Sequence, residues 1–201
     1  MAWGPGAVDG AGSAGRHAVI HLITGGARSG KSTFALQQAL RLAPEGPVGF
    51  IATAQANDAD MAERIARHRA ERDERFLTFE APLDLGAALA DPRPAGFVVD
   101  CLTVWCANLL FSIQPDWNDL TPTPDVAPFD RTVGALLGQL STCNRPILLV
   151  TNEVGYGIVP ADPLSRTYRD WLGRLNQRIA ARAERVTLVV AGIPVAVKGG
   201  G

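Results

Sequence analysis

At 201 residues, 47% of them apolar, the chain is long enough for one well-buried core and too short for two, so residues 18–198 are read as a single domain behind an extension at 1–17. Its 19 basic and 20 acidic residues nearly cancel, which excludes the broad positive field that holds nucleic acid or an anionic membrane; any phosphate binding has to be local. No apolar run approaches the roughly 18 residues that cross a bilayer, so no membrane partner is expected either.

The opening MAWGPGAVDGAGSAGRH is small and Gly/Ala-rich with no apolar h-region. It reads as a flexible extension rather than a signal peptide. Val19–Ile23 is the first buried-strand signal. It runs into Gly25-Gly26-Ala27-Arg28-Ser29-Gly30-Lys31-Ser32, a full G-x-x-x-x-G-K-[ST] match, and a helix-forming TFALQQALRL follows. Strand before and helix after are the context this phosphate cradle requires. Its glycines let backbone N–H groups turn toward phosphate oxygens, Lys31 brings charge to the outer phosphates, and the Ser32 hydroxyl can ligate Mg²⁺. A nucleoside triphosphate with Mg²⁺ is therefore expected at Gly25–Ser32.

Val48–Ala52 is a weaker strand signal, and the charged stretch from Met61 to Arg75 predicts a helix with a thin apolar edge. On such a helix Arg64 and Arg72 flank His68 at four residues on either side, with Glu71 at three. Guanidinium groups disfavour protonation of a nearby imidazole, leaving it neutral and nucleophilic, and the same groups can hold a triphosphate. By itself a histidine in a charged helix is an ordinary surface residue. His17 and His21 are the other two histidines, and neither is placed for chemistry.

Phe97–Val99 is a further buried strand, ending on Asp100. An aspartate there either holds magnesium, directly or through water, or merely caps the strand end. Phe111–Asp130, rich in Pro, Asp, Asn and Thr, has loop chemistry and is either disordered or a functional cover. Ile147–Val150 is the next strand, and Thr151-Asn152-Glu153 places polar groups at its carboxyl end, where open α/β sheets bind ligands; Glu153 could be a base, a metal ligand or an anchor. Leu164–Ala183 shows an apolar stripe at intervals of three and four, and Val186–Val190 completes the strands. Short continuous apolar runs separated by helices predict an α/β fold with a parallel sheet covered on both faces. Cys101, Cys106 and Cys143 form no CxxC pair and read as core thiols of a protein in the reducing cytoplasm.

Taken together, GGARSGKS, IATAQ before MAERIARHRAER, VVDCLTVWCANLLF, and the closing LVTNEVGYGIVPADPLSRTYRDWLGRLNQRIAARAERVTLVVAGIPVAVK resemble the bifunctional adenosylcobinamide kinase / adenosylcobinamide-phosphate guanylyltransferase family of cobalamin biosynthesis. TNEVGYGIVP and the arginine-flanked histidine are its most specific pieces. The resemblance implies that the γ-phosphate of ATP or GTP passes to the aminopropanol hydroxyl of adenosylcobinamide. A histidine then attacks the α-phosphate of GTP, expels pyrophosphate, and carries GMP to the cobinamide phosphate. It assigns that histidine to His68 and pairs it with Lys31 as catalytic. It carries nucleotide contacts over to Gly25–Ser32, to Thr53, Ala54 and Gln55, to Arg69, Ala70, Glu71 and Arg72, and to Glu80 and Asp100, with Ser32 and Asp100 at the metal. A RecA-like P-loop sheet and a homotrimer are implied as well. Arg67 stands where some members of the family carry a second histidine. Two other readings stay open: a small-molecule kinase without guanylyl transfer, and a GTP-dependent switch, although no NKxD-type guanine-reading stretch occurs.

Overall fold

The computed structural model describes residues 19–55, 72–117 and 125–199. In chain order these form β1 (Ile20–Gly25), α1 (Lys31–Leu42), β2 (Val48–Ala52), β3 (Phe76–Glu80), α2 (Leu85–Leu89), β4 (Gly96–Asp100), α3 (Leu102–Ile113), α4 (Ala127–Thr142), β5 (Ile147–Val150), α5 (Pro163–Arg182), β6 (Arg185–Val190) and β7 (Ile193–Lys198). The strands make one sheet in the order β3-β2-β4-β5-β1-β6-β7. Neighbouring strands are parallel except β6 and β7, which pair antiparallel. This is the α/β architecture expected from the strand and helix pattern.

Why the strands read as unbroken apolar runs follows from their two buried faces. Ile51, Phe97, Val99, Ile147 and Leu149 point into one core with Trp105, Phe129 and Trp171. Phe50, Val98, Leu148 and Val150 point into the other, where α1 contributes Ala35 and Ala39, joined by Ala43 just past its end. Side chains alternate across a strand, so burying both faces demands apolar residues at every position. α5 forms as its stripe predicts. Asp162 accepts from Ser165 N at 2.8 Å as the N-cap, Pro163 fits the first turn, and Leu172, Leu175 and Ile179 are buried.

Two expectations need correction. The Phe111–Asp130 loop is shorter than its composition suggests, because α3 continues to Ile113 and α4 already begins at Ala127. Pro128 sits in the first turn of α4, where proline costs no hydrogen bond, and Asp125 caps that turn by accepting from Ala127 N at 2.9 Å. Residues 118–124 lie outside the described residues. The helix expected over 61–75 falls mostly outside them too, but its end is described and is not helical. Asp73 accepts from Arg75 N at 2.9 Å and its carbonyl from Phe76 N at 3.0 Å, an Asx-type turn that redirects the chain into β3. β3 and β7 carry little sequence signal. Their residues are half-buried or exposed, and Pro194 in β7 argues against a strand except at an edge, which is where it lies.

His21 is 4% exposed in β1, sharing a hydrogen bond of 2.8 Å between its Nε2 and Thr187 Oγ1 and standing edge-on to Phe34. Burial, and then the Arg185 charge, bring its pKa down to about 4. The folded state therefore keeps His21 neutral, whereas the unfolded chain takes up a proton below about 6.5. Stability from this group is complete above pH 6.5 and is lost as pH falls toward 4, by an amount on the order of 3 kcal/mol. Urea midpoints measured from pH 7 to pH 4.5 should fall steeply for the natural sequence and less steeply for His21→Asn; equal slopes would show that His21 does not govern the acid limb.

Candidate active site

β1 ends in the middle of the sheet between β5 and β6, and the glycine-rich turn leaves from that end. A Cβ on Gly25 would lie 2.5 Å from the Val189 carbonyl oxygen and 2.7 Å from Ser29 Oγ, so only glycine fits. Gly30, at φ 92°, is left-handed and begins α1 without a side-chain cap. The first N–H groups of α1 thus remain available to an anion, which the helix dipole favours. Lys31, 8% exposed, turns back across the turn so that Nζ donates to Gly26 O at 3.0 Å. Burial lowers the pKa of its ammonium, while Cys101 and Asp100 act to raise it. Gly26, Ala27 and Arg28 are exposed, Ser32 is half-buried, and Ser29 is buried with Oγ lacking a partner among the described residues.

Sheet register brings the other expected residues to the same edge. Ala52 pairs with Glu80 on one side and Asp100 on the other, and Asp100 pairs with Val150. Val150 in turn pairs with Ile23, so Glu80 and Asp100 end their strands close to the carboxyl end of β1. Thr53 follows β2, but its hydroxyl is fully buried and committed to Cys101, donating to the carbonyl at 2.8 Å and accepting from the N–H at 3.0 Å. Asn108 Nδ2 adds a bond to Thr53 O at 2.8 Å. Thr53 is thus a brace for the chain leaving Asp100. Ala54 is half-buried and Gln55 exposed beyond it. Burial raises the Cys101 thiol, with the Asp100 charge adding to the effect, and burial pushes Cys106 up to about 12; both are neutral thiols at pH 7.

Arg72 is not on a helix. Its guanidinium lies over the Phe50 ring, 3.7 Å from the centroid, and donates to Thr78 Oγ1 at 3.0 Å, part-way along β2 and β3 rather than at their carboxyl ends. His68, Arg69, Ala70 and Glu71 lie outside the described residues.

Sequence reasoning singled out the TNEVGYGIVP run but left the role of Glu153 undecided. Thr151 N donates to Ile23 O at 2.9 Å and Glu153 N to Gly25 O at 3.3 Å, extending the β5–β1 ladder past the end of β5. Glu153 then borders an open cavity of about 440 Å³, lined also by Gly26, Ala27, Arg28, Ser29, Tyr156 and Leu188 to Ala191. The turn after β6 also holds the cradle directly, with Gly192 N donating to Ser29 O at 2.8 Å. Tyr156 follows Glu153 closely enough that the TNEVGYG run could have pointed to it. The β6–β7 turn is more than 160 positions from the cradle, and only the fold joins them.

Chemically, this edge can hold a triphosphate by backbone N–H groups and Lys31, with polar side chains at the outer-phosphate end. Ser32 and Asp100 give one hydroxyl and one carboxylate. That set suits Mg²⁺, which takes one or two protein oxygens and completes its octahedron with phosphates and water. Among the described residues there is no cluster of three or more His, Cys, Asp or Glu that would hold a metal without a nucleotide, and no helix is long and apolar enough to cross a membrane.

A family model described as cobinamide kinase / cobinamide phosphate guanyltransferase matches residues 21–197. The bifunctional adenosylcobalamin biosynthesis protein CobP of Pseudomonas aeruginosa is 47% identical over 182 residues, covering 89% of this chain and 96% of that one. CobU, the corresponding protein of Salmonella typhimurium, is 41% identical, covering 88% of this chain and 98% of its own. Among solved structures, the RadB recombinase aligns at TM-score 0.44 and 18% identity over 86% of this chain and 74% of that chain. A KaiC-like protein from Pyrococcus horikoshii aligns at TM-score 0.46 and 15% identity, over 86% and 71%. With the model matching nearly all of the described sheet and two relatives above 40% identity along almost their whole length, the chain belongs to the cobinamide kinase / cobinamide phosphate guanyltransferase family.

Proposed function

We propose that this chain, through one domain spanning 18–198, performs two successive transfers in cobalamin biosynthesis. The γ-phosphate of ATP or GTP passes to the hydroxyl of adenosylcobinamide, and GMP from GTP then passes to the resulting phosphate, giving adenosylcobinamide-GDP and pyrophosphate. The observation that carries the reading is the family match over residues 21–197, and the cradle supports it with the groups a triphosphate needs. Backbone N–H groups of Gly25–Ser32 hold the phosphates, Lys31 offsets charge that builds on the outer oxygens, and neither has to reorganise during the reaction. Ser32 and Asp100 would hold Mg²⁺, which when bound neutralises charge on the bridging oxygens.

For the second transfer, the reading gives His68 the nucleophile's role. An imidazole nitrogen bonds to the α-phosphorus as the bond to pyrophosphate breaks. A phosphate oxygen of the cobinamide phosphate then bonds to that phosphorus as the P–N bond breaks. Covalent catalysis divides a displacement between two anions into two in-line steps. Arg69, Ala70 and Glu71 are the nucleotide contacts proposed beside His68, with Glu80 and Gln55 at the sheet edge. Small-molecule partners in the cytoplasm fit three cysteines that are all free thiols.

An assembly of several copies, the homotrimer of the sequence reading, is supported by the β6–β7 edge. Val190 pairs with Ile193 and Leu188 with Val195, so these side chains share one face, and Val190, Ile193 and Val195 are 54%, 66% and 48% exposed. Contiguous apolar surface on an edge strand is rarely left open to water.

Incubation with GTP radiolabelled at the α-phosphate should give a covalent label that is acid-labile and alkali-stable, as a phosphoramidate is, with the GMP adduct mapping to His68 by mass spectrometry. His68→Ala should lose the label and guanylyl transfer while retaining phosphorylation of cobinamide, and Lys31→Ala should depress both reactions by about 10²-fold or more. Absence of any label from the natural sequence would leave a kinase alone. Light scattering should find Val195→Asp in a smaller assembly than the natural sequence; an unchanged mass would move the contact elsewhere.

A further inference from the structure

We propose that Glu153 is the proton acceptor of the phosphorylation step and that the cavity beside it admits the hydroxyl-bearing arm of the acceptor alcohol. The proposal rests on the kinase reading above.

Two observations and one chemical requirement carry it. The lysine of this cradle serves the β- and γ-phosphates, and Lys31 Nζ lies 3.0 Å from Gly26 O, which makes the Gly26 side of the turn the γ-phosphate side. The cavity of about 440 Å³ opens on that side, lined by Gly26 to Ser29, and Glu153 is the carboxylate on its wall. A proton acceptor for an alcohol attacking the γ-phosphorus has to stand there, within hydrogen-bond reach of the hydroxyl.

Glu153 is also held in place from several directions. Its N–H donates to Gly25 O at 3.3 Å, and Asn152 N donates to Thr103 Oγ1 at 2.7 Å. Asn176, a buried polar residue of α5, accepts from Thr151 Oγ1 at 2.8 Å and donates to Asn152 O at 3.1 Å. Such anchoring fixes the backbone beneath the carboxylate, as a catalytic group requires. The carboxylate itself is lightly engaged: among the described residues its hydrogen bond is a long one, 3.4 Å from Gly155 N to Oε1. Neither Ser32 nor Asp100, the pair proposed for the metal, lines the cavity.

In the step, the substrate hydroxyl oxygen bonds to the γ-phosphorus as the bond from that phosphorus to the β-bridging oxygen breaks. The nucleoside diphosphate leaves with that electron pair. The hydroxyl proton passes to a Glu153 carboxylate oxygen and from there to solvent.

The test is Glu153→Gln, assayed in the two half-reactions separately: phosphorylation of adenosylcobinamide, and guanylylation of adenosylcobinamide phosphate supplied as such. The expected result is a fall in kcat for phosphorylation by about 10² to 10⁴-fold with KM changed only a few-fold. The acid limb of the kcat profile should disappear, the loss should exceed that in guanylylation by at least about tenfold, and the melting temperature should match the natural sequence. Glu153→Asp should recover part of the rate. Phosphorylation by Glu153→Gln at the natural rate overturns the proposal, and so does rescue by raised Mg²⁺, which would make Glu153 a metal ligand. A natural protein that phosphorylates no cobinamide overturns the kinase reading and this proposal with it.

Discussion

A Cβ on Gly25 would sit 2.5 Å from the Val189 carbonyl oxygen, and much of the site depends on that close approach. β1 lies between β5 and β6, and its last residue has to be narrow enough for the chain to turn sharply against β6 into the cradle. The same residue's carbonyl accepts from Glu153 N. One glycine thus fixes the start of the phosphate turn and the placing of a carboxylate beside it. Gly192, at the turn between β6 and β7, closes the arrangement by donating to Ser29 O. The cradle is thus held from both flanking strands.

Electrostatically the edge is asymmetric. Lys31 is buried, its pKa lowered by desolvation, and Asp100 is among the charges that pull the other way. The cavity beside the turn carries Glu153 and an exposed Tyr156. The hydroxyl of Thr53 is engaged with the backbone of Cys101, positioning the chain after Asp100.

How much of this was legible beforehand depended on whether a residue's role is set by near neighbours in the chain. The P-loop was, because strand, glycine-rich turn and helix are consecutive. So were β4, β5, β6 and α5, whose apolar runs and stripe are imposed by burial on two faces or one. The Phe111–Asp130 reading failed at its C-terminal end because proline and aspartate serve helix starts as well as loops, and only the burial of Phe129, Val133 and Leu136 in α4 decides between them. Arg72 was placed by helical spacing from His68, and the Asp73 turn removed it from that geometry.

By itself, then, the sequence determined the nucleotide cradle, the α/β pattern and, through its motifs, the family, since these are written in contiguous residues whose chemistry is local. Only the tertiary structure decided what stands around the cradle. Glu153, Tyr156 and the β6–β7 turn reach Gly26–Ser29 because parallel strands distant in sequence are hydrogen-bonded side by side, with their carboxyl ends brought to one edge.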